Sequence, residues 1–411
     1  MTTTPTTDFV ADRERAADAV VAGMGVHVTV TRTISVEATA DSFVTGHVVE
    51  GVDDAGRPSE HTIFLDTGAS GSPGTLDLED GAGGRVRAWL YPADPALPAL
   101  APAVYADSAR VILQRMGRAV DDVDLALCSY RPGKRAVVCV NAPDPVAYLK
   151  VVRPTKAAAI AASHASWCAA GIPAAQVIAW SHDGLIALEP LTGQPAIGFV
   201  CDVEPEVLVA TIRALTEQIA RIPSTRSARA SLASRLDFTR EGMTRLAPHR
   251  AADVDAMCGR IRLTLADVGP VPRAVTVHGD LHLGQVFLDP GAPDRVTGVI
   301  DIDTAGLGDP ADDAAALVAQ LLASAELLDR AGSHARASAT RRAADAFRAG
   351  WHRDGDPGFA GRARAIVAAH VLGHALSGSI DAGTALRLAG ESLDESTLTS
   401  TSRPSHPRSA V

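Results

Sequence analysis

The chain has 411 residues, of which 46% are hydrophobic, and it carries a formal net charge of −10. This length is enough for two or three domains that each bury a core. The acidic balance argues against a nucleic-acid-binding protein, which needs a basic surface. No run of about 18 uncharged apolar residues indicates a membrane span, so no membrane partner is expected.

The cysteines are five, an odd number, and they show no CxxC spacing. This pattern favours reduced thiols over a disulfide framework or a zinc site. The first residues lack a basic segment followed by an apolar core, so the pattern of a secretory signal is missing. We therefore expect a cytoplasmic protein.

Alternating apolar and polar positions mark the first hundred residues. They occur at 27–50, 61–66 and 85–90, and they predict a twisted antiparallel sheet. A segment punctuated by prolines at 91–102 reads as a linker into a helix at about 108–116. We predict a separate, mainly β domain over residues 1–104.

Three short strands joined by turns at 131–134 and 141–145 are predicted next, and Lys150 lies in the apolar run of the third. The chain has only two other lysines, Lys134 and Lys156. A compact ammonium group among apolar neighbours suits a point contact to phosphate oxygens. The alternative for Lys150 is a strand-edge lysine that reaches solvent. Lys134 is interpreted as a solvated turn charge that would at most assist.

The segment HGDLHLGQ, residues 278–285, precedes two apolar runs separated by the turn-forming DPGAPD. This pattern predicts a β-hairpin, which would make Gln285 and Asp301 neighbours at its open end. Two side-chain oxygens, together with phosphate oxygens and waters, commonly hold Mg²⁺. From the loop before the hairpin, Asp280 would accept the proton of a hydroxyl group that attacks a phosphorus atom.

Other roles for the same residues stay open. His278, Asp280 and His282 alternate along an extended segment and would form a zinc site for hydrolysis if they shared a face. Asp303 is either a second metal ligand or a helix-capping residue. Asp309 precedes a proline and a run of helix formers, which favours an N-cap.

HGDLHLGQ resembles the catalytic loop His-x-Asp-x-x-x-x-Asn of protein kinases and aminoglycoside phosphotransferases, and more closely the HGD-x-HLGQ of maltokinase-like sugar kinases. The resemblance implies that Asp280 is the catalytic aspartate and that Asp301 is the metal-binding aspartate of the DFG segment. It also implies that Asp313, in the GDPADD run, braces the catalytic loop. Gln285 stands where most members carry Asn.

The same resemblance extends to the nucleotide site. Lys150 corresponds to the lysine that holds the α and β phosphates, and the EPLTG segment is similar to a hinge, where Glu189 would offer its carbonyl and Leu191 its amide to adenine. Two family features are missing: a glycine-rich GxGxxG loop, and a glutamate in the helix at 155–169 that would pair with Lys150.

Helices are predicted beyond the active segment, at 311–331, 340–351 and 362–377. The last of these places His370 and His374 one turn apart, as a substrate-facing or buried polar pair. The final residues, 396–411, contain too few apolar groups to pack and are expected to be disordered.

The sequence thus predicts an α+β protein with a protein-kinase-like two-lobe fold and an extra N-terminal mainly β cap domain. The domains are a cap at 1–104, an N-lobe at 105–195, a mainly helical C-lobe at 196–395 and a tail at 396–411. The hypothesis is a small-molecule kinase that uses ATP and Mg²⁺ to phosphorylate a hydroxyl of a sugar or amino sugar. His282 and Asp303 are expected near the substrate or in support of the site. No oligomeric state follows from the sequence.

Three alternatives remain. The protein would be an aminoglycoside phosphotransferase that inactivates antibiotics, a catalytically inactive kinase-like binding module, or the zinc hydrolase considered above.

Overall fold

The computed structural model describes residues 7–38, 43–68, 75–79, 85–352 and 355–394. The tail at 396–411 lies outside these residues, so its expected disorder stays a prediction. The α-helices are α1 Thr7–Ala22, α2 Leu100–Val104, α3 Ala106–Arg115, α4 Pro154–Ala169, α5 Pro205–Ile219, α6 Leu236–Leu246, α7 Ala251–Val268, α8 Pro310–Arg330, α9 His334–Ala349, α10 Phe359–Leu376 and α11 Ala382–Leu393. The strands are β1 Val26–Ala38, β2 Phe43–Asp53, β3 Pro58–Asp66, β4 Leu76–Glu79, β5 Arg85–Leu90, β6 Asp124–Arg131, β7 Arg135–Asn141, β8 Pro145–Val152, β9 Val177–Trp180, β10 Leu185–Leu188, β11 Gln194–Pro195, β12 Val275–Val277, β13 Val286–Asp289, β14 Ala292–Val299 and β15 Gly306–Gly308.

The chain divides into two compact units. The first comprises Met1–Ala165 and Gln176–Pro190, and the second comprises Ser166–Ala175 and Leu191–Val411. The described residues contain no helix with the length and apolar character that a membrane crossing requires.

An antiparallel sheet with the strand order β1-β2-β3-β5-β4 opens the first unit. The expected sheet is therefore present, and its alternating pattern has a physical cause: Ile63 and Leu65 are buried on the face that α1 covers with Ala17 and Val21. Neither α1 nor β4 was predicted. Strand β4 has only four residues, and three of them are exposed.

The second sheet of this unit has the order β6-β7-β8-β10-β9, which includes the three strands predicted around Lys150. Lys150 stands opposite Val137 on one side and Ile186 on the other, and it is only 5% exposed. Because β8 is the central strand of five, Lys150 is not a strand-edge lysine, and that alternative is wrong.

The turn at 131–134 and Tyr130 before it are hydrogen bonded to Asp94, in the segment that follows the first sheet. The buried carboxylate of Asp94 accepts hydrogen bonds from the hydroxyl of Tyr130, at 2.9 Å, and from the amide of Gly133, at 2.7 Å. The ammonium group of Lys134 lies 2.9 Å from a carboxylate oxygen of Glu37 in β1. Lys134 is therefore a paired charge rather than a purely solvated one.

The second unit is mainly helical, with α8 and α10 at its centre, and it carries two small sheets of order β11-β13-β14 and β12-β15. Arg362 of α10, only 4% exposed, lies 2.6 Å from Asp309 and 2.5 Å from Asp356. The Asp309 carboxylate also accepts the amide of Ala311 at 2.9 Å, which confirms its predicted N-cap role. A buried ion-pair network thus holds the N-terminus of α8 against α10.

Replacing Arg362 with leucine should destabilise the protein strongly, because two largely buried carboxylates would lose their only cation in this network. We expect a loss of about 3 to 5 kcal/mol in the free energy of unfolding, measured by urea denaturation. As a control, Arg295→Gln removes an ion pair of β14 whose arginine is 68% exposed, and it should cost less than about 1 kcal/mol. Equal midpoints for both variants would contradict this assignment.

Candidate active site

The hairpin predicted between Gln285 and Asp301 is present. Strands β13 and β14 pair antiparallel with Val286 opposite Val299, and the amide of Ile300 donates to the carbonyl of Gln285 at 3.0 Å. The pairing therefore brings Gln285 beside the residue that precedes Asp301. Asp301 is the only non-glycine residue with a positive φ in the described chain, at 61°, a conformation that aspartate tolerates better than most residues.

The oxygen donors at this end of the hairpin suit a hard cation. The side-chain oxygen of Gln285, which is buried, accepts the amide of His282 at 3.2 Å, and a carboxamide oxygen has a second lone pair. One carboxylate and one amide oxygen match the partial cage that Mg²⁺ takes together with phosphates and waters. No group of three or more His, Cys, Asp or Glu side chains suited to a metal occurs in the described ranges.

The loop that carries Asp280 is held from two sides. The carboxylate of Asp313, buried in the first turn of α8, accepts the amides of His278 and Gly279, each at 2.7 Å. This confirms that Asp313 braces the loop. Gly279 has a φ of 83°, and a Cβ there would lie 2.5 Å from the carbonyl oxygen of Thr304, so only glycine fits. Both contacts fix the backbone immediately before Asp280.

The two histidines of the loop form hydrogen bonds with backbone groups. His278 is fully buried and its Nε2 donates to the carbonyl of Ile300 at 3.0 Å, which fixes the tautomer at that nitrogen. His282 accepts the amide of Gly284 on Nδ1 at 3.1 Å and caps the short helical turn that leads to Gln285. The zinc alternative is wrong, because the residues that the structure describes contain no group of three or more His, Cys, Asp or Glu side chains that could hold a metal ion.

His282 responds to the charges of both predicted acidic residues, Asp280 and Asp301. Burial lowers its pKa, whereas the charges of Asp280 and Asp301 raise it. Both carboxylates therefore lie within electrostatic reach of this one imidazole. The structure thus brings Asp280, Gln285 and Asp301 into one neighbourhood of the second unit.

Three further side chains, Arg229, His370 and His374, interact with the charge of Asp280. Arg229 was not predicted from the sequence. The guanidinium of Arg229 lies 3.2 Å from the Asp280 carboxylate. His370 and His374, the predicted pair on α10, are half-buried, and burial lowers the pKa of both, to about 4 for His370, while Asp280 raises them. Both imidazoles are therefore neutral near pH 7 and can exchange hydrogen bonds with hydroxyl groups.

Arg229 reaches Asp280 because its segment lies against β15. The amide of Ala228 donates to Leu307 at 2.9 Å, and the amide of Arg229 donates to Thr304 at 2.9 Å. A Cβ at Gly306 would lie 2.6 Å from the nitrogen of Ala228, so this close approach requires glycine. The sequence signal is weak, since arginine is common throughout the chain.

The residues predicted to bind nucleotide divide between the units, with Lys150 and Glu189 in the first and Leu191 in the second. The amide of Glu189 donates to Gln176 at 2.9 Å, and its carboxylate pairs with Arg118. Helix α4 contains no glutamate, as the sequence indicated, and its His164 is buried.

The carbonyl of Asp303 accepts a hydrogen bond from Arg226. This contact holds the backbone and does not involve the Asp303 carboxylate. Roles in nucleotide, metal or substrate binding therefore stay predictions.

With this geometry in view, the relation to known proteins follows. The model of the phosphotransferase enzyme family matches residues 133–360, more than half of the chain. The chain therefore belongs to this family, and it is a small-molecule phosphotransferase with the protein-kinase-like fold, preceded by an N-terminal antiparallel sheet. No curated protein sequence matches the chain.

Several solved structures are similar in fold. The aminoglycoside phosphotransferase APH(3'')-Id from Streptomyces rimosus is 23% identical over 63% of this chain and 98% of its own, with a TM-score of 0.40. A glucosamine kinase in complex with glucosamine, ADP and inorganic phosphate is 17% identical over 90% and 94%, with a TM-score of 0.43. A choline/ethanolamine kinase family protein from Mesorhizobium loti is 17% identical over 70% and 92%, with a TM-score of 0.45.

The neutral state of His370 predicts how stability changes with pH. Its pKa is lowered from 6.5 to about 4 in the folded protein, so the unfolded chain binds the proton more readily, and stability falls as pH decreases through this window. Between about pH 7.5 and about pH 4.5 the wild type should lose on the order of 2 kcal/mol more than His370→Gln. Urea denaturation at both pH values measures this difference, and parallel losses would contradict it.

Proposed function

We propose that the protein transfers the γ-phosphoryl group of ATP to a hydroxyl group of a small carbohydrate or amino sugar. The observation that carries the proposal is the 3.0 Å hydrogen bond from the amide of Ile300 to the carbonyl of Gln285. This bond holds Gln285 beside the residue that precedes Asp301, at the open end of the hairpin. Asp280 lies on the braced loop that leads into the same hairpin. Family membership supports the reaction class.

In the proposed reaction the hydroxyl oxygen of the acceptor forms a bond to the γ-phosphorus as the bond between that phosphorus and the bridging oxygen of ADP breaks. Asp280 accepts the hydroxyl proton and orients the attacking oxygen. Because phosphoryl transfer proceeds through a loose transition state, positioning and charge stabilisation provide most of the rate acceleration. A carboxylate on a rigid loop suits this task, and Asp280 remains 38% exposed to an incoming acceptor.

Gln285 and Asp301 are the residues that would hold Mg²⁺, which neutralises phosphate charge when it is bound. The rigid loop turn around Gln285 keeps the amide oxygen in place, and the left-handed backbone at Asp301 sets the direction of its side chain. His282 would support this region by accepting the amide of Gly284, and Asp303 through its backbone carbonyl, which accepts a hydrogen bond from Arg226.

Nucleotide binding would use Lys150 for the α and β phosphates, with the carbonyl of Glu189 and the amide of Leu191 for adenine. The burial of Lys150 in the central strand of a sheet supports this role, because the strand holds a compact ammonium group in a fixed position. The ion pair between Glu189 and Arg118 supports a fixed position for the Glu189 backbone.

A coupled assay of ADP release tests the proposal with maltose, glucose, glucosamine and aminoglycosides as acceptors. Stimulation by a sugar or amino sugar supports it. Preferential turnover of aminoglycosides would favour the antibiotic-inactivating alternative, and binding of Mg·ATP without any acceptor-dependent turnover would favour an inactive binding module.

The variant Asp280→Asn should lose at least about 100-fold in kcat, because an amide does not accept the hydroxyl proton. Its affinity for Mg·ATP should remain close to that of the wild type. The matched control Asp294→Asn makes the same chemical change at an exposed position of strand β14 and should keep wild-type turnover. Full phosphotransfer by Asp280→Asn would refute the assignment of the base.

Asp301→Asn should weaken the binding of Mg·ATP, whereas Asp280→Asn should slow phosphoryl transfer. Asparagine tolerates the left-handed backbone conformation at this position, so the change removes the charge with little strain. We expect calorimetry to show Mg·ATP binding weakened by about tenfold or more, since a hard cation prefers a carboxylate to an amide. Unaltered binding would remove Asp301 from the metal site.

A further inference from the structure

Two arginines near Asp280 have no role in the reaction proposed above. Arg229, with 46% of its side chain exposed, lies 3.2 Å from the Asp280 carboxylate. Arg235 ends the short helical turn Ala233–Arg235 and is open to solvent. The two belong to one segment, residues 224–235, which is hydrogen bonded to the loop between Asp301 and α8.

The segment that carries Arg235 packs on α10 through Leu232. The side chain of Leu232 approaches to 3.1 Å from where a Cβ would stand on Gly373, in the turn of helix between His370 and His374. Electrostatics agrees with this placement, because Arg229 and Arg235 both lower the pKa of His370. The segment therefore packs on α10 beside the turn that carries the two histidines, with Arg229 and Arg235 within electrostatic reach of His370.

Asp280 provides one negative charge beside the two positive charges of Arg229 and Arg235. Asp280 pairs with Arg229, and within the described ranges no carboxylate lies in ion-pair distance of Arg235. The pKa of Arg235 is lowered, first because neighbouring protein displaces water and then because of the charge of Arg229. Two neighbouring cations, of which only Arg229 is paired with a carboxylate, form a site that an additional anion would complete.

We propose that the acceptor is a hydroxylated carboxylate of the sugar-acid class, whose carboxylate group binds to Arg229 and Arg235 while its hydroxyl groups contact His370 and His374. This inference rests on the proposed kinase function and specifies its substrate class. A guanidinium presents paired donors that match a carboxylate, and neutral imidazoles exchange hydrogen bonds with hydroxyls. Amino sugars and aminoglycosides carry ammonium groups, which these arginines repel.

The experiment compares glucuronate and gluconate with glucose, glucosamine and kanamycin, both by calorimetric binding to the full chain and by ADP release. We expect the sugar acids to bind more tightly than glucose by about tenfold or more, the effect of a charge-assisted hydrogen bond pair. Arg235→Gln should remove this advantage and raise the KM for the sugar acid without changing the KM for ATP. Arg235→Lys should restore part of it.

The matched control is Arg342→Gln, which changes an exposed arginine of α9 whose side chain bonds to Ser338; it should bind glucuronate as the wild type does. The inference is overturned if glucose, glucosamine or kanamycin binds as tightly as the sugar acids, if no sugar acid binds, or if Arg235→Gln binds them unchanged. Turnover of glucosamine alone would overturn this inference and leave the kinase proposal intact. Absence of ADP release with every acceptor, beside intact glucuronate binding, would instead contradict the kinase proposal.

Discussion

The pair of 2.7 Å hydrogen bonds from the amides of His278 and Gly279 to the Asp313 carboxylate is the interaction on which the proposed site depends. Asp313 lies in the first turn of α8, where unpaired amides and the helix dipole favour a negative charge. Asp309 caps the same helix end, and Arg362 forms an ion pair with the Asp309 carboxylate. The backbone before Asp280 is thereby held by α8, which is in turn held against the buried helix α10.

Glycine makes this arrangement possible at two positions where the backbone segments approach each other. At Gly279 the loop passes close to Thr304, and at Gly306 the strand β15 passes close to the segment that carries Arg229. Any side chain would separate these segments, and the separation would move Asp280 and Arg229 apart. The hairpin fixes the position of Gln285 as well, because its pairing places Gln285 against Ile300. Positioning of this kind is what a loose phosphoryl-transfer transition state demands.

Local patterns allowed much of this to be predicted. The hairpin, the three strands around Lys150, the N-cap at Asp309 and the helix with His370 and His374 follow from turn residues, periodicity and capping signals. Other features depend on contacts between distant segments. Strands β12 and β15 have three residues each and are defined only by their mutual pairing. Arg229 lies 51 residues before Asp280, and nothing in its own neighbourhood distinguishes it from the many other arginines.

The ion pair between Arg229 and Asp280 bears on how an acceptor would engage the base. A guanidinium has five N–H donors, so Arg229 can bind an acceptor carboxylate and still donate to Asp280. In the proposed reaction this sharing would orient the acceptor relative to the Asp280 carboxylate. A cationic acceptor would compete with Arg229 for the same carboxylate and gain nothing from Arg235. The chain as a whole is acidic, at −10, so under this proposal selection among acceptors would depend on Arg229 and Arg235 and not on the overall charge.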